Sequence, residues 1–211
     1  MKIINHKLLI DNENTIDGLR QAIMRGYNKF EVDIRQIRND IVLYHDDTYK
    51  GSYIYELCFN ELENIDNFDN FIQEINSYCN NLHIYFDIKG IIDTDLLIHK
   101  IYKLNPKNNY YFQSFNINTI YNLKQKIPSL KTGLILCGYN KINFYKIKNF
   151  VDYLCLEEEY LSEYLDDDIF NKLDVYIWTV NISTKFEKYK QLGIKGIFTD
   201  YPKKFNIFIN K

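Results

Sequence analysis

Short runs rich in Ile, Val, Tyr and Phe alternate with longer stretches of helical periodicity along the whole chain. The strand candidates are Lys2–Asn5, Lys29–Ile34, Leu82–Ile88, Tyr110–Phe115, Thr132–Leu136, Tyr153–Leu156, Val175–Val180 and Gly196–Thr199. Several are almost continuously apolar, as strands covered on both faces are. One more run, Ile41–Tyr44, follows the turn-like Asn39-Asp40 and predicts a small hairpin with the end of the second strand. Between the strands, Thr15 caps a helix reaching Arg25, with Ile16, Leu19, Ile23 and Met24 as its apolar stripe and Gly26 at its end. Further helices are expected over Phe68–Tyr78, Thr94–Leu104, Asn118–Lys126, Lys141–Asn149, Ser162–Lys172 and Ser183–Leu192. Eight βα units in 211 residues predict a single (β/α)8 TIM barrel over 1–211, with trimmed loops, since such barrels usually need about 250 residues. The rival is an open doubly wound sheet, but no glycine-rich phosphate turn follows the first strand.

Composition narrows the partners. Hydrophobic residues make up 46% and charged residues 26%, enough for a sizeable core. A formal net charge of −2 argues against nucleic acid or an anionic membrane held by gross electrostatics. The pair Lys203 and Lys204 reads as a solvated face. The four cysteines (Cys58, Cys79, Cys137, Cys155) show no CxxC spacing, so reduced thiols in a cytoplasmic protein are expected. Met1–Ile10 is interrupted by Asn5, His6 and Lys7, which does not read as a secretory signal, and no run approaches the ~18 apolar residues of a transmembrane span.

Reactive groups of such barrels sit where the chain leaves the C-terminal ends of strands. His6 ends the first strand, Glu31 and Asp33 lie near the end of the second, Asp87 and Lys89 end the third, and His45 follows the hairpin strand. Strand alternation puts Glu31 and Asp33 on one face, with Phe30 and Val32 toward the helices. The same parity pairs Asp87 with Lys89. Buried carboxylates repel one another and resist desolvation, and a hard divalent cation with oxygen ligands relieves both costs. Lys89 can meet an anionic substrate; the bland alternative is an internal salt bridge between Lys89 and these acids. His6 and His45 on the same rim read as an acid–base pair. His83 and His99, before a strand and on a helix, read as structural or solvent-facing.

These fragments, taken in order, resemble the glycerophosphodiester phosphodiesterase family, within the wider group of barrel phosphodiesterases. The resemblance runs through His6-Lys7, Glu13-Asn14-Thr15, Glu31-Val32-Asp33, His45-Asp46, Asp87-Ile88-Lys89 and Ser114-Phe115. It continues through Trp178-Thr179-Val180-Asn181 and Gly196-Ile197-Phe198-Thr199-Asp200-Tyr201-Pro202. It implies that His6 and His45 act as general acid and base, and that Glu31, Asp33 and Asp87 bind Mg²⁺ or Ca²⁺. It implies too that Lys7 and Lys89 contact phosphate, and that Trp178 walls the alcohol pocket unless it is simply a core aromatic. The substrate is then a small or lipid-derived phosphodiester.

Departures from the family pattern carry expectations of their own. Lys7 replaces an arginine and loses its planar fork. Leu8 stands at a glycine position, so the loop after the first strand is expected to run differently. Asp87 stands for the usual glutamate; with Lys89 it also resembles the sphingomyelinase D-type phospholipases. The segment after His45-Asp46 lacks the usual small inserted subdomain. Asp46 is either a partner of His45 or a turn residue, and Glu157-Glu158-Glu159 reads as a solvated loop or helix start with no assigned role. Two alternatives therefore stand: a phospholipase on the same barrel, and a non-catalytic phosphate-binding barrel.

Overall fold

The computed structural model describes residues 1–78, 81–139, 143–165, 172–205 and 208. Eight parallel strands close into a barrel: β1 (Lys2–Asn5), β2 (Lys29–Ile37), β6 (His83–Lys89), β7 (Asn109–Ser114), β8 (Lys131–Leu136), β9 (Tyr153–Glu157), β10 (Asp174–Trp178) and β11 (Gly196–Thr199). Closure comes from β1, which pairs with β11 on one side and β2 on the other. The expected hairpin forms between β2 and β3 (Asp40–Val42), antiparallel and registered Gln36 to Ile41. It is shorter than expected, because Leu43 leaves the ladder and donates its backbone N–H to the Asp66 carbonyl.

The helices α1 (Ile16–Met24), α2 (Phe68–Ser77), α3 (Thr94–Ile101), α4 (Ile117–Lys126), α5 (Phe144–Ile147), α6 (Leu161–Tyr164) and α7 (Phe186–Gln191) pack outside the strands. Thr15 caps α1 through the Gly18 N–H. Leu19 and Ala22 carry the buried face of that helix, whereas Met24 points to solvent rather than joining the stripe. It lies five residues beyond Leu19, well round the helical wheel from the barrel. α7 begins as a 3-10 turn at Ser183–Lys185. The first residues of the helix expected at Lys141–Asn149, most of the C-terminal half of that at Ser162–Lys172, and Cys79 lie outside the described residues. No helix among the described residues is long and apolar enough to cross a membrane.

Strand parity divides the core. Phe30, Val32, Ile34, Ile84, Phe86 and Ile88 point outward onto α1, α2 and α3. Inside the barrel Ile4, Tyr85, Ile135, Tyr153, Cys155, Tyr176 and Phe198 form a separate, largely aromatic floor. Tyr85 stacks on Tyr111 with ring centroids 4.2 Å apart, and its hydroxyl and that of Tyr176 accept from the Lys2 ammonium at 3.2 and 3.1 Å. This plug seals the N-terminal end, so the opposite, C-terminal end is left for chemistry.

The segment after His45-Asp46 folds as a two-strand hairpin, β4 (Thr48–Tyr49) and β5 (Ser52–Tyr53), followed by two 3-10 turns. Ile54 buries against Ile37 and Val42, and Asp66 accepts the Ile16 backbone N–H at 2.7 Å. A small apolar anchor and a cap on α1 are enough to order it.

Candidate active site

Glu31 and Asp33 face the barrel interior from β2, and Asp87 faces them from β6, where Asp33 is registered to Asp87. All three are buried, and one oxygen from each lies within 4.8 Å of the others. Each is held by a neighbour. Glu31 Oε2 accepts the Lys7 backbone N–H at 2.8 Å. Asn14 clasps Asp33 twice, its Nδ2 donating to Oδ2 at 2.8 Å and its Oδ1 accepting the Asp33 N–H at 2.9 Å. Asn14 needs a left-handed backbone (φ 52) to do so, a conformation that asparagine tolerates better than most residues. The Lys89 ammonium lies 2.7 Å from Asp87 Oδ2 and 3.1 Å from Asp33 Oδ1.

The salt bridge offered as an alternative to a cation site therefore exists, yet it does not satisfy the cluster. One ammonium faces three carboxylates, and Asp87 Oδ1 is buried with no hydrogen-bond partner. The cost is visible in proton affinity. Burial, and then the charge of Asp33, push Glu31 up to about 8. Burial pushes Asp87 up to about 6, with Lys89 opposing and Asp33 adding to the shift. Asp33 goes the other way: burial would raise it, but Lys89 and the Asn14 hydrogen bond hold it below the usual carboxylate range. An all-oxygen set with an orphaned buried oxygen suits a hard divalent cation.

His6 follows β1 directly and is tied by its backbone N–H to the Thr199 carbonyl at 3.0 Å. Its Nδ1 lies 2.7 Å from Asp200 Oδ1. A carboxylate only accepts, so Nδ1 carries the hydrogen and Nε2 is left for the cavity. Asp200 is itself oriented: its Oδ2 accepts from Asn181 Nδ2 at 2.7 Å, and its N–H donates to Asn181 Oδ1 at 3.0 Å. Burial would depress the His6 pKa, but the Asp200 bond and the charges of Glu31, Asp200 and Asp33 outweigh it, and the net shift is upward. Asp200 and Asn181 had no role in the sequence reading, although both sit just past C-terminal strand ends, where a polar pair could have been noticed.

His45 Nδ1 lies 2.7 Å from Asp46 Oδ1, so Asp46 is a partner of the imidazole. His83 lies at the far end of the barrel against Tyr111, pushed down to about 4 by burial and by the charges of Lys2 and Lys29. His99 is exposed on α3.

One cavity of about 210 Å³ brings these groups together. His6, His45, Glu31, Asp87, Lys7, Lys89 and Trp178 all line it, with Phe115 and Gln113, while Asp33 stands behind. Trp178 donates its indole N–H to the Cys155 carbonyl at 3.2 Å and meets Phe115 edge to face at 5.8 Å. Lys7 reaches Glu13 at 3.4 Å. The neighbouring Leu8 takes the left-handed backbone (φ 72) that glycine adopts freely. The strain costs about 1–3 kcal/mol. Burying the leucine fully against the outer core offsets it by about 1.5–3 kcal/mol.

The acidic run that ends β9 takes the helix-start reading: Glu158–Tyr160 form a 3-10 turn that leads into α6. Glu157 accepts the Gly138 backbone N–H at 3.1 Å, and Glu158 accepts from Lys185 at 2.9 Å and Tyr189 at 2.5 Å.

Comparison with known proteins identifies the family. The pattern of the glycerophosphoryl diester phosphodiesterase family matches residues 72–204, well over half of the chain. A provisionally assigned glycerophosphodiester phosphodiesterase of Bacillus subtilis (strain 168), YhdW, is 22% identical over 219 residues, covering 90% of this chain and 89% of its own. Among solved structures, a phosphodiesterase of Oleispira antarctica in complex with the product sn-glycerol-3-phosphate superposes with a TM-score of 0.88 at 18% identity, covering 100% of this chain and 97% of that one. A protein of Galdieria sulphuraria provisionally assigned as a glycerophosphodiester phosphodiesterase gives 0.85 at 19% identity, covering 100% of this chain and 98% of that one. At such identities these two likenesses establish the shared (β/α)8 fold, and the family pattern establishes the family. The chain belongs to the glycerophosphoryl diester phosphodiesterase family and is a phosphoric diester hydrolase acting on glycerophosphodiesters.

Proposed function

We propose that the chain cleaves glycerophosphodiesters to an alcohol and glycerol phosphate by acid–base catalysis between His6 and His45. A divalent cation, Mg²⁺ or Ca²⁺, is held by Glu31, Asp33 and Asp87. The observation that carries this reading is a cluster of three buried carboxylates, two of which, Glu31 and Asp87, line the same cavity as two carboxylate-oriented imidazoles. His6, Glu31, Asp33 and His45 all precede the span matched by the family pattern, so their roles rest on this geometry.

A divalent cation held by these carboxylates would supply Lewis-acid stabilisation of the negative charge on the phosphoryl group. Lys7 and Lys89 line the same cavity and offset negative charge that grows on the phosphoryl oxygens. One imidazole takes a proton from the attacking oxygen as the new O–P bond forms. The other gives a proton to the alcohol oxygen as its bond to phosphorus breaks. If a hydroxyl of the substrate attacks, a cyclic phosphate forms first and the two imidazoles exchange roles as water opens it. Asp200 and Asp46 hold the rings so that each presents Nε2 to the reaction. Trp178 and Phe115 form an aromatic wall suited to the alcohol portion. The glycerol phosphate bound to the Oleispira antarctica protein supports a product of this class.

A second reading, a sphingomyelinase D-type phospholipase, rests on the resemblance of Asp87, in place of glutamate, followed two residues later by Lys89. Phosphorus NMR of the products separates the two. Glycerophosphocholine is expected to give glycerol phosphate in the presence of Mg²⁺ or Ca²⁺, with about 10³-fold less turnover under chelation, the scale of several kcal/mol of lost charge stabilisation. Turnover of a choline lipid to a cyclic phosphate, with glycerophosphocholine untouched, would favour the phospholipase. Full activity under chelation would remove the cation from the reading.

A further inference from the structure

The two imidazoles are anchored very differently. His6 is fixed at the end of a barrel strand, by a backbone bond and by a buried carboxylate–amide pair. His45 lies three residues past β3, and both its ring and its Asp46 partner are exposed. A ring so placed can hold its position only if something braces the backbone beneath it.

That brace is Arg35. It lies on β2 in the same parity as Glu31 and Asp33, registered to Lys89 across the strand pair. Its guanidinium is nearly buried. One prong donates to the His45 carbonyl at 2.8 Å, and the other reaches Asp47 Oδ1 at 2.6 Å. The two bonds pin the His45-Asp46-Asp47 tripeptide at both ends. The guanidinium lies close against Gly90, which has φ +65 and where a Cβ would lie 3.0 Å from the Arg35 Nη1. Arg35 is absent from the lining of the reaction cavity, so it does not meet substrate there.

We propose that Arg35 is a positioning residue that acts on the reaction through His45, by locking the backbone that carries it. The proposal rests on His45 being one of the acid–base pair. A planar fork is required, because carbonyl and carboxylate are met by two separate nitrogens; a lysine, with one compact ammonium, cannot hold both in the same geometry. Displacing a reacting group by about 1 Å costs on the order of 10² in rate.

The test is a double-mutant cycle on glycerophosphocholine hydrolysis, with kcat and KM measured for wild type, Arg35→Lys, His45→Ala and the double variant, and Mg²⁺ affinity measured by calorimetry for each. Arg35→Lys is expected to lower kcat by about 10–10²-fold with KM nearly unchanged and Mg²⁺ affinity retained. The double variant should be no slower than His45→Ala, since a residue acting only through His45 has nothing left to position. Asp47→Asn releases one prong from an exposed side chain and gives the same cycle should Arg35→Lys fold poorly; its loss should be smaller and likewise vanish in the His45→Ala background. The proposal is overturned by wild-type kcat in both variants, by losses that multiply with that of His45→Ala, or by a raised KM or weakened Mg²⁺ binding as the main effect. Wild-type activity in His45→Ala itself would instead remove the acid–base reading, and this proposal with it.

Discussion

Replacing His6 by alanine is expected to lower kcat for glycerophosphocholine by about 10²–10⁴-fold, the usual contribution of a positioned general acid or base. The loss should fall on kcat rather than KM, because the ring serves proton transfer and the phosphate is gripped by other groups. His45→Ala should show a loss of similar size. The double variant should be little worse than either single one, since two groups passing protons across one phosphoryl centre act as a unit. Asp200→Asn tests the orienting half of the argument. Asparagine preserves the shape but can present an N–H to Nδ1 and so favour the wrong tautomer, which should cost about 10²-fold or more with little change in stability. Steady-state kinetics with thermal melts decide the matter. Near-wild-type turnover in both alanine variants would remove the two imidazoles from the reaction.

The other large effect concerns the carboxylates. Asp33→Ala is expected to weaken Mg²⁺ or Ca²⁺ binding by about 10²-fold or more, since loss of even an outer partner of a metal ligand costs 10–100-fold. Activity at limiting cation should fall with it. Proton linkage gives an independent check. Without a cation, burial holds Glu31 up to about 8 and Asp87 up to about 6, so at pH 7 Glu31 is mostly protonated. Binding requires the carboxylate, so it releases a proton and weakens as pH falls below about 8. The sign for stability is the reverse. A carboxyl whose folded value is raised binds more protons folded than unfolded, so its contribution is complete below the unfolded value and is lost as pH rises through about 8. Cation-free protein should therefore lose melting temperature between about pH 5 and 8, and added cation should restore it. Calorimetry in buffers of different ionisation enthalpy measures the released proton. Binding without proton release at pH 7 would contradict the buried, mutually repelling cluster.

Strand parity was legible at once. Because side chains alternate faces, parity alone sends Glu31, Asp33 and Asp87 to the interior and Phe30 and Val32 to the helices, and the barrel places them so. The bounds of β1 and β11 also followed from composition alone, as both are short apolar runs flanked by polar residues. What escaped depended on partners distant in the chain. Asp200 and Asn181 orient His6 from 194 residues away and from the neighbouring loop. Glu158 is tied to α7 across 27 and 31 residues. No local pattern encodes those meetings.

The sequence alone determined that this chain builds a closed βα barrel with acids and imidazoles at the strand ends, because periodicity and strand-end chemistry are local properties of the order of residues. Only the tertiary structure decided how those groups share charge and protons. Lys89 spans two acids, Asp87 keeps an unpartnered oxygen, and Leu8 accepts a glycine-like backbone in exchange for burial. Each depends on distances between strands and on exclusion of water, which exist only once the barrel has closed.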